Sequence, residues 1–232
     1  MRPKYGEGTG LQRPARRRSV LLTVHHLRVS RSERIVWLCE ELGIAYNLIC
    51  YDRDPNGAAP AAYKALHSLG AAPVITDGQI VLAESNAIVD YIIARHGGGR
   101  LAVPPDAAHY PDYLFWLQYV EGTLQPGASL PMMLRRAEVP ESGAFYQAML
   151  QRHKRAVQEV ENRLSRSPYL AGADFTAADI MMVFTLTTAR YYNPLDLTPF
   201  PAIRNYLQSI GKRPAYRAAM EKGDPGMALL LD

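Results

Sequence analysis

The sequence predicts an α/β half followed by an all-α helical bundle. After a short leader, about 78 residues alternate compact β-like runs with helical periods. Beyond a Gly/Pro-rich stretch the periodicity is helical throughout, and no convincing strand follows. Size agrees: 232 residues (25.8 kDa), 48% hydrophobic and 21% charged, suit two modest domains with real cores.

Each element has its own signal. Val20–Val24 is a compact apolar run, the first predicted strand. Ile35, Leu38 and Leu42 recur at i, i+3 and i+7 with Glu40 and Glu41 on the other side, which marks an amphipathic helix stopping at Gly43. Tyr46–Cys50 reads as a second strand, Asp52–Pro60 as a loop and Ala61–Leu66 as a short helix. Val74–Thr76 and Ile80–Ala83 flank Asp77-Gly78, a turn signal that makes them a hairpin. A helix over Ser85–Arg95 ends at three glycines, Gly97, Gly98 and Gly99. The order β-α-β-α-β-β-α fits a mixed sheet covered by helices. This places a domain at 19–96, a linker at 97–108 and an all-helical domain at 109–232.

In the helical half, His109–Arg136 and Gly143–Ser165 are predicted as long helices. The second sets Phe145, Met149, Ala156, Val160 and Leu164 on one face. Thr176–Arg190, Pro201–Ile210 and Pro214–Met220 supply three more. Thr176 with Asp179 three residues on is a variant capping box, and Phe175 and Ile180 hold the staple positions. That motif is structural, with Ile180, Val183, Phe184 and Thr187 toward the core.

Composition excludes several functions. Residues 1–18 hold six cations against one anion, whereas the remainder sums to about −1 of the chain's +4. The basicity belongs to a Gly/Pro/Arg-rich leader with too little apolar surface to fold. A dedicated nucleic-acid binder would show a basic face with interleaved aromatics, so no nucleic-acid partner is expected. No apolar run reaches the ~20 residues of a membrane span. Arg16-Arg17-Arg18 before an apolar stretch faintly resembles an export signal, but the run is short and lacks a cleavage site. Cys39 and Cys50 lie in apolar periodic segments and read as buried, reduced thiols, which suits the cytoplasm. His25 and His26 are neighbours in a strand and face opposite sides, so they cannot chelate a metal together and read as core and surface histidines.

Three local features carry chemistry. Glu84-Ser85 lies where a strand gives way to a helix, whose free N–H groups and dipole favour an anion. Pro73 begins a strand, where it lacks a ladder donor. Ser30 and Ser32 precede the first helix, where a hydroxyl favours an anion by hydrogen bonding.

Several motifs together resemble the glutathione transferase superfamily over about residues 20–215. Ser30 to Gly43, reading Ser-Arg-Ser-Glu-Arg-Ile-Val-Trp-Leu-Cys-Glu-Glu-Leu-Gly, resembles its first helix, in wording most like a fungal and bacterial branch. Ala72-Pro73-Val74-Ile75, Leu82-Ala83-Glu84-Ser85-Asn86-Ala87-Ile88 and Tyr169 to Ile180 are similar to its later motifs. The resemblance implies a thioredoxin-like first domain, a homodimer, and glutathione as co-substrate without a metal. It implies that Glu84 and Ser85 hold the γ-glutamyl end and that Ala72, before a cis Pro73, pairs with the cysteinyl moiety. By the same likeness Ser30, four residues before Arg34, is the serine that stabilises the thiolate; Ser32 is read as a first-turn residue, and backbone N–H groups are an alternative. Many relatives carry a lysine where Ala71 stands, so His67 or Arg53 is the expected partner of the glycyl carboxylate.

The implied activity is detoxifying conjugation of a small hydrophobic electrophile or reduction of an organic peroxide. Alternatives are a non-catalytic ligand-binding protein and a glutathione-dependent isomerase or dehalogenase. Candidates for the electrophile pocket are Tyr113, Trp116, Tyr119, Met132, Met133, Tyr191 and Tyr192.

Overall fold

A computed structural model describes residues 21–232; the basic leader lies outside the described residues. The first half contains β1 (Thr23–Leu27), α1 (Glu33–Leu42), β2 (Asn47–Tyr51), α2 (Ala61–Lys64), β3 (Val74–Asp77), β4 (Ile80–Ala83) and α3 (Ser85–Arg95). The sheet order is β2-β1-β3-β4, with β1 parallel to β2 and antiparallel to β3. The β-α-β-α-β-β-α order is as the sequence predicts.

Alternation along β1 assigns its two faces. Val24 and His26 point toward α1, while His25 and Leu27 point toward α2. Val24 and Ile75 join the main core; Leu27 and Val74 form a smaller cluster with Tyr63 of α2. The strand begins three residues later than predicted. It also runs past Val24 through His25 and His26, both buried and hydrogen-bonded inside it.

The second half holds α4 (Tyr110–Tyr119), α5 (Gln125–Arg136), α6 (Ala144–Leu164), α7 (Ala177–Leu186), α8 (Pro201–Ile210) and α9 (Pro214–Gly223). Every residue of α7 is buried, which makes it the central helix of the bundle. The helix predicted over 109–136 is interrupted by a π-turn, Val120–Leu124. Pro126 at the start of α5 has no N–H to continue the ladder, so the extra residue is accommodated there. The helix predicted over 176–190 breaks at Thr187 into a 3₁₀ turn, Thr188–Tyr191. On α6 the buried face is Tyr146, Ala156, Val157, Val160 and Leu164, whereas Phe145 is 60% exposed. Phe145 was predicted inward; the helix starts at Ala144, and its neighbour Tyr146 takes the core position.

The halves share one continuous core. Trp37 of α1 packs between Phe175 and Tyr216, with ring centroids 5.5 and 4.9 Å away. Arg213 grips Glu41 through two bonds of 2.7 and 2.8 Å and lies 3.7 Å over the Phe175 ring. Among the described residues no helix is long and apolar enough to cross a membrane.

Candidate functional site

A cleft of about 460 Å³ opens between the halves. The first half lines it with Leu27, Ser30, Arg31, Arg53, Ala71 and Ala72, the second with Gln125, Met132, Phe184, Thr185 and Tyr192. It therefore has a polar floor and an apolar far wall, the usual layout of a small-molecule site.

Of the two predicted serines, Ser30 lines the cleft, whereas Ser85 and its neighbour Glu84 lie outside the lining; each serine follows a strained residue. Val29 (φ 53°) precedes Ser30, and Glu84 (φ 73°) precedes Ser85. Positive φ costs a non-glycine residue on the order of 1–3 kcal/mol, and such residues cluster at ligand sites. Ser30 is only 6% exposed but lines the cleft. Its Oγ accepts from the Ser32 N–H at 3.2 Å and meets Ser32 Oγ at 2.8 Å. Ser32 is the residue before α1, fully buried, and so lies behind Ser30. Ser85 is buried in the first turn of α3, with Glu84 exposed beside it.

Ala72 lines the cleft two residues before the β1–β3 ladder begins, and its bond to the buried Pro73 is cis, as the resemblance implied. Ala71 is exposed on the same wall. Arg53 also reaches the cleft. Its guanidinium donates to the carbonyls of Arg28, Val29 and Gly57, each at 2.9 Å, leaving two of its five donors free of those bonds. His67 is held in its own turn, where Nδ1 accepts from the Leu69 N–H at 3.2 Å, and the cleft wall does not include it. Of the apolar candidates, Met132 and Tyr192 line the cleft, Tyr113 and Trp116 are bundle core, and Met133 and Tyr191 are exposed elsewhere.

Sequence reasoning used Arg34 only as a spacing mark. The structure places it behind the cleft, bonded to two residues of its wall, Gln125 and Thr185. Fully buried, it pairs with Glu121 of the π-turn, donates to Gln125 at 3.0 Å and Thr185 at 3.3 Å, and approaches Ser85 Oγ at 3.5 Å. Burial lowers its pKa, and Glu121 opposes that shift. Arg31 adds a second cation 3.5 Å from Glu121. The π-turn is what aims Glu121 at this pair, and no periodicity in the sequence announces it.

The second missed feature lies behind Ser30. Ser32 Oγ meets His26 Nδ1 at 2.9 Å, and His26 Nε2 meets Asp224 Oδ2 at 3.1 Å. His25, on the other face, bonds Tyr51 Oη and Thr76 Oγ1, and partial burial lowers its pKa. Neither histidine is a surface residue. The loop carrying Asp224 comes so close that a Cβ on Gly223 would stand 3.0 Å from His26 Nε2. The histidine pair was visible in the sequence; its partner, 198 residues away, was not.

The cysteines differ. Cys39 is buried, and burial raises its thiol to about 12, which makes it unreactive at neutral pH. Cys50 is also free but only half-buried, against expectation, because β2 is an edge strand of the sheet.

A thioredoxin-like sheet domain joined to a helical bundle, with a polar cleft between them and a cis proline on its wall, is the architecture seen here. The glutathione S-transferase N-terminal domain family matches residues 20–94, and the glutathione S-transferase C-terminal domain family matches residues 143–209. The chain belongs to the glutathione transferase superfamily. Among curated relatives, glutathione S-transferase 3 of Schizosaccharomyces pombe is 30% identical, covering 87% of this chain and 88% of its own. Glutathione S-transferase 1 of Saccharomyces cerevisiae is also 30% identical, over 87% and 95%. A glutathione S-transferase crystal structure from Actinobacillus pleuropneumoniae superposes with a TM-score of 0.80 at 34% identity, over 88% and 93%. A theta-class enzyme from Xanthomonas axonopodis pv. citri, solved with glutathione bound, gives 0.67 at 27% identity, over 86% and 96%.

Proposed function

We propose that the chain binds glutathione along the cleft and activates its thiol at Ser30 for attack on a small hydrophobic electrophile or reduction of an organic peroxide. The observation that carries this is Ser30 itself: a hydroxyl at the start of α1, lining the cleft, supported from behind by further donors. A free thiol has a pKa of ~8.5, and lowering it by ~2 units requires ~2.7 kcal/mol. A hydroxyl donor and the α1 dipole together supply an effect of that size. Ala72 before Pro73 offers a backbone edge for the cysteinyl moiety, and Glu84 with Ser85 receives the γ-glutamyl amino and carboxylate groups. Arg53, rather than His67, meets the glycyl carboxylate, because it reaches the cleft with donors to spare. Met132, Phe184 and Tyr192 form the electrophile wall.

The division at 19–96, 97–108 and 109–232 is part of the same reading, and so are a cytoplasmic, detoxifying role and a homodimer. The edge strand β4 carries exposed Ile80 and Val81, and α4 carries exposed Leu114 and Phe115, apolar surface of the kind a second copy would cover. The experiment is titration calorimetry with glutathione, followed by turnover of an aryl halide and of an organic hydroperoxide. Saturable binding with turnover is expected. Binding without either turnover would favour the ligand-binding alternative, and no binding would remove the proposal.

A further inference from the structure

The four side chains running from the cleft to the protein interior form an unbroken line. Ser30 Oγ to Ser32 Oγ is 2.8 Å, Ser32 Oγ to His26 Nδ1 is 2.9 Å, and His26 Nε2 to Asp224 Oδ2 is 3.1 Å. All are within hydrogen-bond range. We infer that His26, held by Asp224, accepts the proton of the glutathione thiol through Ser32 and Ser30. The inference rests on the reading above, that the tripeptide's sulfur sits at Ser30.

Donor and acceptor counting sets the links of the imidazole and leaves Ser32 one choice. An ionised carboxylate only accepts, so Nε2 carries the hydrogen of the neutral ring and Nδ1 is an acceptor. The Asp224 carboxylate is itself pinned, since Oδ1 accepts from the Val29 N–H at 3.0 Å. Ser32 Oγ accepts from the Leu27 N–H at 3.1 Å, and its single hydrogen goes to Nδ1 or to the Leu27 carbonyl at 3.2 Å. With Ser32 donating to Nδ1, Ser30 donates to Ser32 and turns a lone pair toward the thiol. Transfer then reverses every link. The S–H bond breaks as an O–H forms at Ser30, the Ser30 hydrogen passes to Ser32, and the Ser32 hydrogen forms an N–H at Nδ1. One proton leaves sulfur, one arrives on the imidazole, and no electrons change hands. The products are a thiolate facing the Ser30 hydroxyl as donor and an imidazolium facing the Asp224 carboxylate.

In these surroundings Asp224 is the carboxylate that meets the ring. Across the sheet His26 pairs with Cys50, whose thiol is raised by burial and stays neutral. On α1, burial raises Glu33 to about 8, so at neutral pH it adds no competing charge beside Asp224. Arg28 donates to the Gly223 carbonyl next to Asp224. His26 and Asp224 never touch the sulfur; they are positioning residues acting through two hydroxyls.

The test compares the full chain with His26→Asn, which keeps a hydrogen-bonding group near Ser32 without a proton-accepting nitrogen, and with Asp224→Asn. Glutathione affinity is measured by calorimetry, the bound thiol by ultraviolet thiolate titration, and folding by thermal melts. Affinity is expected within about threefold of the unsubstituted chain. The bound thiol should titrate about one unit or more higher, and aryl-halide kcat at neutral pH should fall about tenfold, recovering as pH rises. If His26→Asn fails to fold, Asp224→Asn carries the same readouts. Folded variants that bind glutathione with an unshifted thiol titration would overturn the relay alone. Failure of the unsubstituted chain to bind glutathione would overturn the underlying reading, and the relay with it.

Discussion

The starts of α1 and α7 use similar parts for different ends. At α7 the Asp179 carboxylate is completely buried and receives Leu170 N–H at 3.0 Å, Thr176 N–H at 2.9 Å, Thr176 Oγ1 at 3.2 Å and Tyr206 Oη at 3.1 Å. Each donor comes from the protein, so the network closes on itself and locks the helix start against its neighbours. At α1 a buried carboxylate, Asp224, again anchors a set of hydrogen bonds, but the line ends at Ser30 on the cleft wall. A buried polar network that closes inside the protein stabilises; one that stops at a cavity leaves a group free to act on a ligand.

Substitutions at the two starts should therefore separate folding from activity. Asp179→Ala strands four donors in the core and is expected to cost about 3–5 kcal/mol, lowering Tm by about 10 °C. A melt within a few degrees of the parent would show that α7 is not the closed anchor described. Ser30→Ala should lower the conjugation rate by roughly 10²-fold, about 2.7 kcal/mol, while shifting Tm little, because Ser32 retains its other bonds. Comparable losses of stability in both variants would erase the contrast.

A pH-dependent effect concerns Glu33, the buried acid just after Ser32. Burial raises its carboxyl from the ordinary 4.5 to about 8 in the folded chain, despite a bond to Thr188. The unfolded chain releases this proton near pH 4.5 and the folded chain only near 8. The contribution of Glu33 to stability is therefore fully present below 4.5 and drains away as pH rises toward 8. Glu33→Gln should flatten the denaturant midpoint across that window by an amount worth about 1 kcal/mol or more. An identical pH slope in the variant would place the titration elsewhere.

Local signals in the sequence carried much of this. The Thr176–Asp179 box and the Asp77-Gly78 hairpin join neighbours in the chain, and capping and turn chemistry mark them there, whereas the roles of Ala72-Pro73 and Glu84-Ser85 came from the family resemblance. Ser30 was reached through its spacing to Arg34. What escaped depends on contacts between distant segments. Glu121 meets Arg34 only because a π-turn rotates it, and Asp224 finds His26 only after α9 packs against α1. The reach of β1 past Val24 escaped for the same reason: the partners that let two histidines sit in a strand interior come from β2, β3 and the turn after α9.

The close approach of Gly223 to the imidazole of His26 has a practical side for building chimaeras. Any hybrid that grafts the sheet half onto a foreign bundle must bring along the small residue and the acid that follows it. A bulkier side chain at 223 would push the ring off its seat, and a neutral one at 224 would leave the nitrogen facing nothing ionic. Swapping partners at the linker alone, however cleanly the halves fold, would part β1 from its last two companions.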